Sequence, residues 1–518
     1  MKRPVVTLIE PPVLFSGTQV SAHVMIPLGI ASLAAWLRQR QDVDVQVIDS
    51  VGEALETVTD LGDGRFRRGL DPQAIVDRVA PEACLVGIRN AFAFAFSTVA
   101  DLVARLKERF PDVPVVLGGD NASAMPEHCL ARSRADAVAV GEGEAVLSSL
   151  LDAVREGRPI ASVPGVAWRD GERVVRNPRP PFLDVDALPM PDYSQVRLHR
   201  YWSVGGGFGP SRGPWLPILS SRGCPNRCRY CTSPFMWERR YRTRSPAAVV
   251  DEMISRHRDL GVVDLHFYDL NFGCSLKWFR AFLDECARLP RGLTWQLVTG
   301  IRPESVTAET AQKMAQRGCV GASVAPETYS EALRRSTGKR MSDEAVFGAI
   351  RHLSAAGIPS NAYFLVGIPG ETARDLKELP RLLRRLARLG LDDVGISVLK
   401  LLPGSDYYEN FRARGLIRPD DAFLDRLVFQ SDLDRMDASA SDLPADVLRA
   451  AVMDAHLAFF AWKFAYRPGT LVEVLRNAIT GRETTRLDRV LRTRRAELAR
   501  VLGHAVMRQV KGFRGPGL

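Results

Sequence analysis

Three cysteines, Cys224, Cys228 and Cys231, fall within eight residues of a 518-residue chain that holds eight cysteines in all. Clustered cysteines in a large chain point to a metal or redox site rather than to disulfides. Three thiolates at C-x3-C-x2-C spacing can ligate three corners of a four-iron cluster and leave its fourth iron open. Four cysteines would suit plain electron transfer, whereas an open iron suits a cluster that binds a substrate. Arg222, Arg227 and Arg229 flank the cysteines and are expected to favour the thiolates. A three-cysteine zinc site would need a distant fourth ligand, and no second Cys or His pair lies nearby.

The apolar run Leu216 to Leu219 precedes the cysteines, so they are expected on a loop leaving a strand. Strand-like runs follow at 264–268, 295–299, 320–324, 361–366 and 394–398, alternating with amphipathic stretches of helical length. Together they make six βα units, and residues that act should stand where the strands end. Tyr268-Asp269-Leu270-Asn271, Gly300-Ile301-Arg302, Ala325-Pro326-Glu327-Thr328 and Gly367-Ile368-Pro369-Gly370-Glu371 occupy those places. Cys274, Cys319 and His266 are expected in packing roles.

A second set of elements precedes this one. Val5 to Ile9 reads as a strand stopped by Pro11 and Pro12. Ile30, Leu33, Ala34 and Leu37 share a helix face, and Val43 to Asp49 alternates as a strand. Strands at 84–88, 113–117 and 137–140 and a helix face of Val99, Leu102, Val103 and Leu106 complete a doubly wound parallel sheet. Ile88-Arg89-Asn90, Gly118-Gly119-Asp120 and Gly141-Glu142-Gly143-Glu144 stand at its ligand-binding strand ends. The chain is therefore expected to be α/β, with a Rossmann-like domain over 1–160 and a Pro- and Gly-rich linker over 161–213. A partial barrel over 214–412 and a helical C-terminal domain over 413–518 follow. Leu448, Val452, His456, Phe459, Phe460 and Phe464 offer that last domain an apolar helix surface.

With 46% hydrophobic and 25% charged residues the chain is neither disordered nor fibrous. Its formal charge of +10 favours an acidic partner but does not choose one. The Arg482 to Arg500 stretch mixes acids with its bases and lacks interleaved aromatics, so nucleic acid is not the expected partner. No run of 18 apolar residues and no leader-like start is found. A membrane span is not expected, and the cytoplasm is the expected location.

The cysteine motif, with Tyr230 before its last cysteine, resembles the signature of the radical S-adenosylmethionine superfamily. The resemblance extends through L-P-M-P-D-Y at 188–193 to the first domain. There the early Pro-Pro, the Pro27-Leu28-Gly29 helix entry, the double glycine and the G-E-G-E turn resemble the cobalamin-binding domain of cobalamin-dependent radical enzymes. It implies a 4Fe-4S cluster on the three cysteines. It implies S-adenosylmethionine against Tyr230, Asp269, Arg302, Glu327, Gly367, Pro369 and Gly370. It implies cobalamin against Pro12, Asn90, Gly118, Gly119, Gly141 and Glu142. The D-x-H-x-x-G motif that supplies a histidine beneath cobalt elsewhere is absent, and His23 is expected in a loop role. Ala325 and Pro326 replace a glycine usual at the fourth strand. The activity implied is methylation of an unactivated carbon, or of a phosphinate phosphorus, in a small molecule, through methylcobalamin and a 5'-deoxyadenosyl radical. Flavodoxin or ferredoxin would be the reductant. Cyclisation, ring contraction or oxidation without methyl transfer is the alternative, and no catalytic acid or base is assigned.

Overall fold

The computed structural model describes residues 3–17, 24–204, 207–210, 212–432 and 435–493. His23 and the basic residues beyond 493 lie outside them.

The first sheet grows from short, strongly apolar strands, the pattern of a parallel sheet covered on both faces. It contains β1 (Val5–Glu10), β3 (Asp44–Asp49), β6 (Ala83–Arg89), β7 (Val115–Gly118) and β8 (Ala137–Ala139). These five lie in the order β8-β7-β6-β1-β3, all parallel to one another. Helices Leu28–Arg40 and Phe96–Arg109 bury the faces expected of them, Ile30, Ala34 and Leu37 in one and Val99, Leu102, Val103 and Leu106 in the other. Two separate apolar cores fill the two sides of the sheet.

Two features depart from the sequence reading. The stretch after residue 160, expected to be connecting, supplies β9 (Val166–Asp170) and β10 (Arg173–Arg176), an antiparallel hairpin on the sheet edge. Its two-residue loop has Gly171 at a φ of 59°, a conformation glycine adopts without penalty. Pro11 and Pro12 do not lead into a plain loop either. The chain continues as β2 (Val13–Ser16), which pairs with β5 (Arg65–Arg68), and β5 pairs with β4 (Val58–Asp60) in a small antiparallel sheet.

The second large sheet has all six expected strands in sequence order and all parallel. They are β11 (Trp215–Ile218), β14 (Asp264–Phe267), β15 (Thr294–Leu297), β16 (Cys319–Glu327), β17 (Ser360–Val366) and β18 (Asp393–Val398). The largest apolar core lies between these strands and their helices. A two-residue pairing, β12 (Ser221–Arg222) with β13 (Arg242–Thr243), pins the base of the cysteine loop. The C-terminal helix Ala445–Tyr466 buries Leu448, Val452 and Phe459 against β18 and helix Glu378–Leu389, on the flank of the barrel. The strand ends are instead met by the segment before it, where Asp442 accepts a hydrogen bond from Gly370 N at 3.1 Å. At the opposite end, Arg486 donates to the Phe208 carbonyl and its backbone N–H donates to Asp393, the first residue of β18.

Candidate active site

The cysteine loop is positioned by residues that are not cysteines. Asp269, fully buried after β14, accepts hydrogen bonds from the Ser220 N–H and from the Ser220 and Ser221 hydroxyls. Its carboxylate thereby fixes the last residues before the loop, which engages it in bracing. Gly223 follows with φ 85°, and a Cβ there would stand 2.0 Å from the Arg240 carbonyl oxygen. No other residue fits that turn.

Cys224 and Cys228 are buried and Cys231 is half-buried. Cys224 lies near enough to both of its neighbours to help raise the Cys228 and Cys231 thiols, and burial, the largest cause, pushes the Cys231 thiol up to about 12. A coordinated iron supplies the positive charge that deprotonates such thiols. Among the described residues no trio of metal-binding side chains encloses a single ion. A four-iron cluster, which holds its thiolates apart, is the group that this trio suits.

Two of the flanking arginines are turned to other partners. Arg222 binds Glu142, at 2.9 Å, and Glu144, while Arg242 binds Glu142 at 2.7 Å. The G-E-G-E turn of the first domain is thus clamped to the root of the cysteine loop. Arg229 lies over the Tyr407 ring. The cation that faces the cysteines is Lys339, which favours the Cys228 and Cys231 thiolates and pairs with Glu327 at 3.4 Å. Lys339 escaped the sequence reading because it stands on no strand end and only the fold brings it there. Glu327 itself holds a φ of 67° at the end of β16, a strained conformation of the kind that gathers at working sites.

The remaining expected residues divide. Arg302 reaches Asn226 of the cysteine loop at 3.4 Å and pairs with Glu304. Tyr230 sets its buried hydroxyl beside the Cys228 sulfur. Gly367 donates its N–H to Glu371 at 2.7 Å, and Glu371 also accepts from the Tyr329 hydroxyl. Burial raises the Glu371 carboxyl to about 7. Pro369 and Gly370 extend that turn toward solvent. Cys274 lies in the electrostatic reach of Cys224 and Arg302, whereas Cys319 is buried in the core. His266 is packed, as expected, stacked on Trp215 and bonded to Asp264 at 3.2 Å.

A cavity of about 430 Å³ joins the two large domains. Gly118, Gly119, Gly141 and Glu142 line it from the first domain; Cys231, Thr232, Trp237 and Tyr268 line it from the barrel. Gly119 keeps φ at 105°, where a Cβ would crowd the Asn90 carbonyl at 3.1 Å. Glu10, also in the wall, binds Arg89 through one oxygen at 2.6 Å and leaves the other buried without a partner. A glycine-floored, largely apolar cradle with a free buried acceptor fits a corrin ring that carries amide donors. Two residues expected to touch such a group do not line the cavity. Pro12 is buried at the joint of β1 and β2. Asn90 is 1% exposed and bonded to Cys129 and Asn121, bracing the strand ends from beneath.

The Radical SAM superfamily profile matches residues 218–383, and the B12 binding domain profile matches residues 17–151. The chain is 27% identical over 421 residues to an uncharacterized methyltransferase of Pyrococcus horikoshii, covering 80% of this chain and 85% of that one. It is 24% identical to the cytidylyl-2-hydroxyethylphosphonate methyltransferase of Streptomyces wedmorensis, covering 76% and 79%. It is 27% identical to the anaerobic magnesium-protoporphyrin IX monomethyl ester cyclase of Rubrivivax gelatinosus, covering 73% and 65%. Among solved structures, the methyltransferase TsrM of Kitasatospora setae, with cobalamin and a [4Fe-4S] cluster bound, has the same fold. Its TM-score is 0.61 at 22% identity, covering 78% of this chain and 77% of that one.

Proposed function

The chain belongs to the cobalamin-dependent radical S-adenosylmethionine enzymes, and from that premise we propose that it transfers a methyl group to an unactivated carbon or phosphinate phosphorus of a small molecule. The observation that carries this is the shared cavity, which puts the glycine cradle of one domain and Cys231 of the cysteine loop on the same space. When bound, the cluster, S-adenosylmethionine and the corrinoid supply a 5'-deoxyadenosyl radical and a transferable methyl group.

The chain's own residues orient and exclude. Cys224, Cys228 and Cys231 would hold the cluster, on a loop that Asp269 and Gly223 fix in place. Lys339 sets a positive charge beside the cysteines, and its pairing with Glu327 stops it from moving. The Gly367 turn, held by Glu371, offers backbone to the nucleoside of S-adenosylmethionine, with Tyr230 and Arg302 near the cysteine loop. Gly118, Gly119, Gly141 and Glu142 would face the corrin. Such positioning of reactive groups away from water is the protein's share of cofactor chemistry. No helix among the described residues is long and apolar enough to cross a membrane. A cytoplasmic setting and reduction by flavodoxin or ferredoxin are part of the same proposal.

The test is anaerobic reconstitution with iron, sulfide and cobalamin, followed by product analysis with substrate candidates under reduction. The expected result is retained corrinoid with release of both S-adenosylhomocysteine and 5'-deoxyadenosine. Release of 5'-deoxyadenosine alone during substrate conversion would replace methyl transfer by cyclisation or oxidation, the activity class of the cyclase relative.

A further inference from the structure

The three arginines that flank the cysteines meet different fates in the structure. Arg222 is held by Glu142 and Glu144, and Arg229 lies over the Tyr407 ring. Arg227 is exposed and forms no ion pair among the described residues. Its neighbours give that exposure a meaning. Cys224 and Cys228 are buried, while Pro225 and Arg227, each one residue from a cysteine, stand in solvent. The loop therefore has two faces. Cys231 and Thr232 line the cavity between the domains, and Pro225 and Arg227 form an outer rim.

A second segment adds charge to that rim. The Arg229 N–H donates to the Thr337 carbonyl at 2.8 Å. Gly338 follows, so close to the loop that a Cβ on it would stand 2.6 Å from the Arg227 carbonyl oxygen. The chain after β16 is thereby seated on the cysteine loop, and it carries Arg335 and Arg340, both exposed. The acids in reach are matched singly. Glu331 pairs with Arg335 at 3.5 Å, Glu304 with Arg302, and Asp343 with the buried Arg334. Arg340, like Arg227, forms no ion pair among the described residues. Two positive charges are left over on the rim.

An exposed arginine is ordinary by itself. Its position here is not, because an electron bound for a cluster on these cysteines must enter from the protein surface, and transfer weakens steeply with distance. The cavity face is where the corrinoid and S-adenosylmethionine would lie. The outer rim is the other approach to the same cysteines, and a surplus of positive charge there steers an acidic partner to it.

We propose that the outer rim of the cysteine loop, Pro225 and Arg227 with Arg335 and Arg340, is the docking face for an acidic one-electron carrier protein. The inference rests on the proposed reduction by flavodoxin or ferredoxin and gives it a place. In the step, an anionic flavin hydroquinone, or a reduced iron-sulfur centre, gives up one electron and the oxidised cluster takes it. No bond forms or breaks and no proton crosses between the proteins. The flavin is left as its neutral semiquinone. Such encounters use small, transient interfaces whose affinity depends on rim charges.

The experiment is calorimetric titration of the reconstituted protein with oxidised flavodoxin and, separately, oxidised ferredoxin at low ionic strength. The test variant is Arg227→Glu/Arg340→Glu. Arg381→Glu/Arg388→Glu, on the outer helix Glu378–Leu389, makes the same change of net charge elsewhere. Wild type is expected to bind one carrier, less tightly in high salt, and the outer-helix variant to bind it equally. The rim variant should bind at least about tenfold more weakly, a loss of about 1.4 kcal/mol. Arg227→Gln/Arg340→Gln, a milder change, should lose less in the same direction. Equal weakening in both glutamate variants would mean that net charge alone attracts the carrier, and would overturn the proposal. Wild-type binding by the rim variants would overturn it too. A second readout is the rate of cluster bleaching in stopped flow. Reduction by the carrier should slow in the rim variant, whereas reduction by photoreduced deazaflavin, a small neutral reductant, should not. Equal slowing with both would make the arginines act on the cluster itself and sink the docking face. If deazaflavin reduces the wild-type cluster but neither carrier binds or reduces it, the reductant reading fails along with the site. Iron and sulfide content, measured on every preparation, reports the cysteine loop separately.

Discussion

Glu371 shows how one side chain can couple site geometry to pH. Both its oxygens accept hydrogen bonds, from the Gly367 N–H and the Tyr329 hydroxyl, yet burial outweighs them and lifts the carboxyl from 4.5 to about 7. The folded protein therefore binds more protons than the unfolded chain between those values, and stability falls as pH rises through them. The full effect is about 3 kcal/mol at most, present below pH 4.5 and lost above pH 7. Asp49, raised by burial to about 6, adds a slope of the same sign. Glu371→Gln keeps an acceptor for Gly367 and removes the titration. Its melting temperature is expected to decline less than wild type's between pH 5 and pH 8. An unchanged difference between the two pH values would place the coupling elsewhere.

Elements explain what the sequence disclosed and what it withheld. All six barrel strands and the five parallel strands of the first sheet were legible because buried strands are apolar runs, and helices between them repeat at 3.6 residues. The β9–β10 hairpin was not, because Arg169, Asp170, Arg173 and Arg176 give an edge hairpin the composition of a loop. The placing of the three cysteines on a loop after a strand was legible from the apolar run before them. Lys339 and the Arg222–Glu142–Arg242 clamp were not, since such contacts depend on how separate elements dock. Asn90 misled for a related reason: a polar residue at a strand end reads as a ligand contact until the neighbouring Cys129 and Asn121 are seen to surround it. The clamp itself makes a prediction. Glu142 and Glu144 have side chains only 7% and 4% exposed. Replacing Arg222 leaves the buried Glu144 without its ion pair and Glu142 with Arg242 alone, and breaking a buried pair costs roughly 3–5 kcal/mol. Arg222→Met should lower the unfolding midpoint and raise deuterium uptake in residues 216–223 as the first domain loosens from the cysteine loop. Wild-type exchange there would show that the clamp holds nothing in place.

At the scale of the whole molecule, the two large domains matter as walls of one cavity, and ligand binding should act on both. A group that binds only the folded protein stabilises it by RT ln(1 + [L]/Kd), about 2.7 kcal/mol at a hundredfold excess over Kd. Gly118 lets this be tested without disturbing the backbone. It lines the cavity, its φ is not positive, and a Cβ there would make only an ordinary 3.9 Å contact with Ala139. Gly118→Leu should therefore fold, bind iron and sulfide on its cysteines as wild type does, and melt at nearly the wild-type temperature without cobalamin. With cobalamin present the two should separate, because a leucine side chain displaces the corrin from its glycine floor. Wild type is expected to retain corrinoid through gel filtration and gain thermal stability, and the variant to do neither. Equal retention would move the corrinoid off this floor while leaving the cysteine loop's role intact, since iron content reports that loop independently.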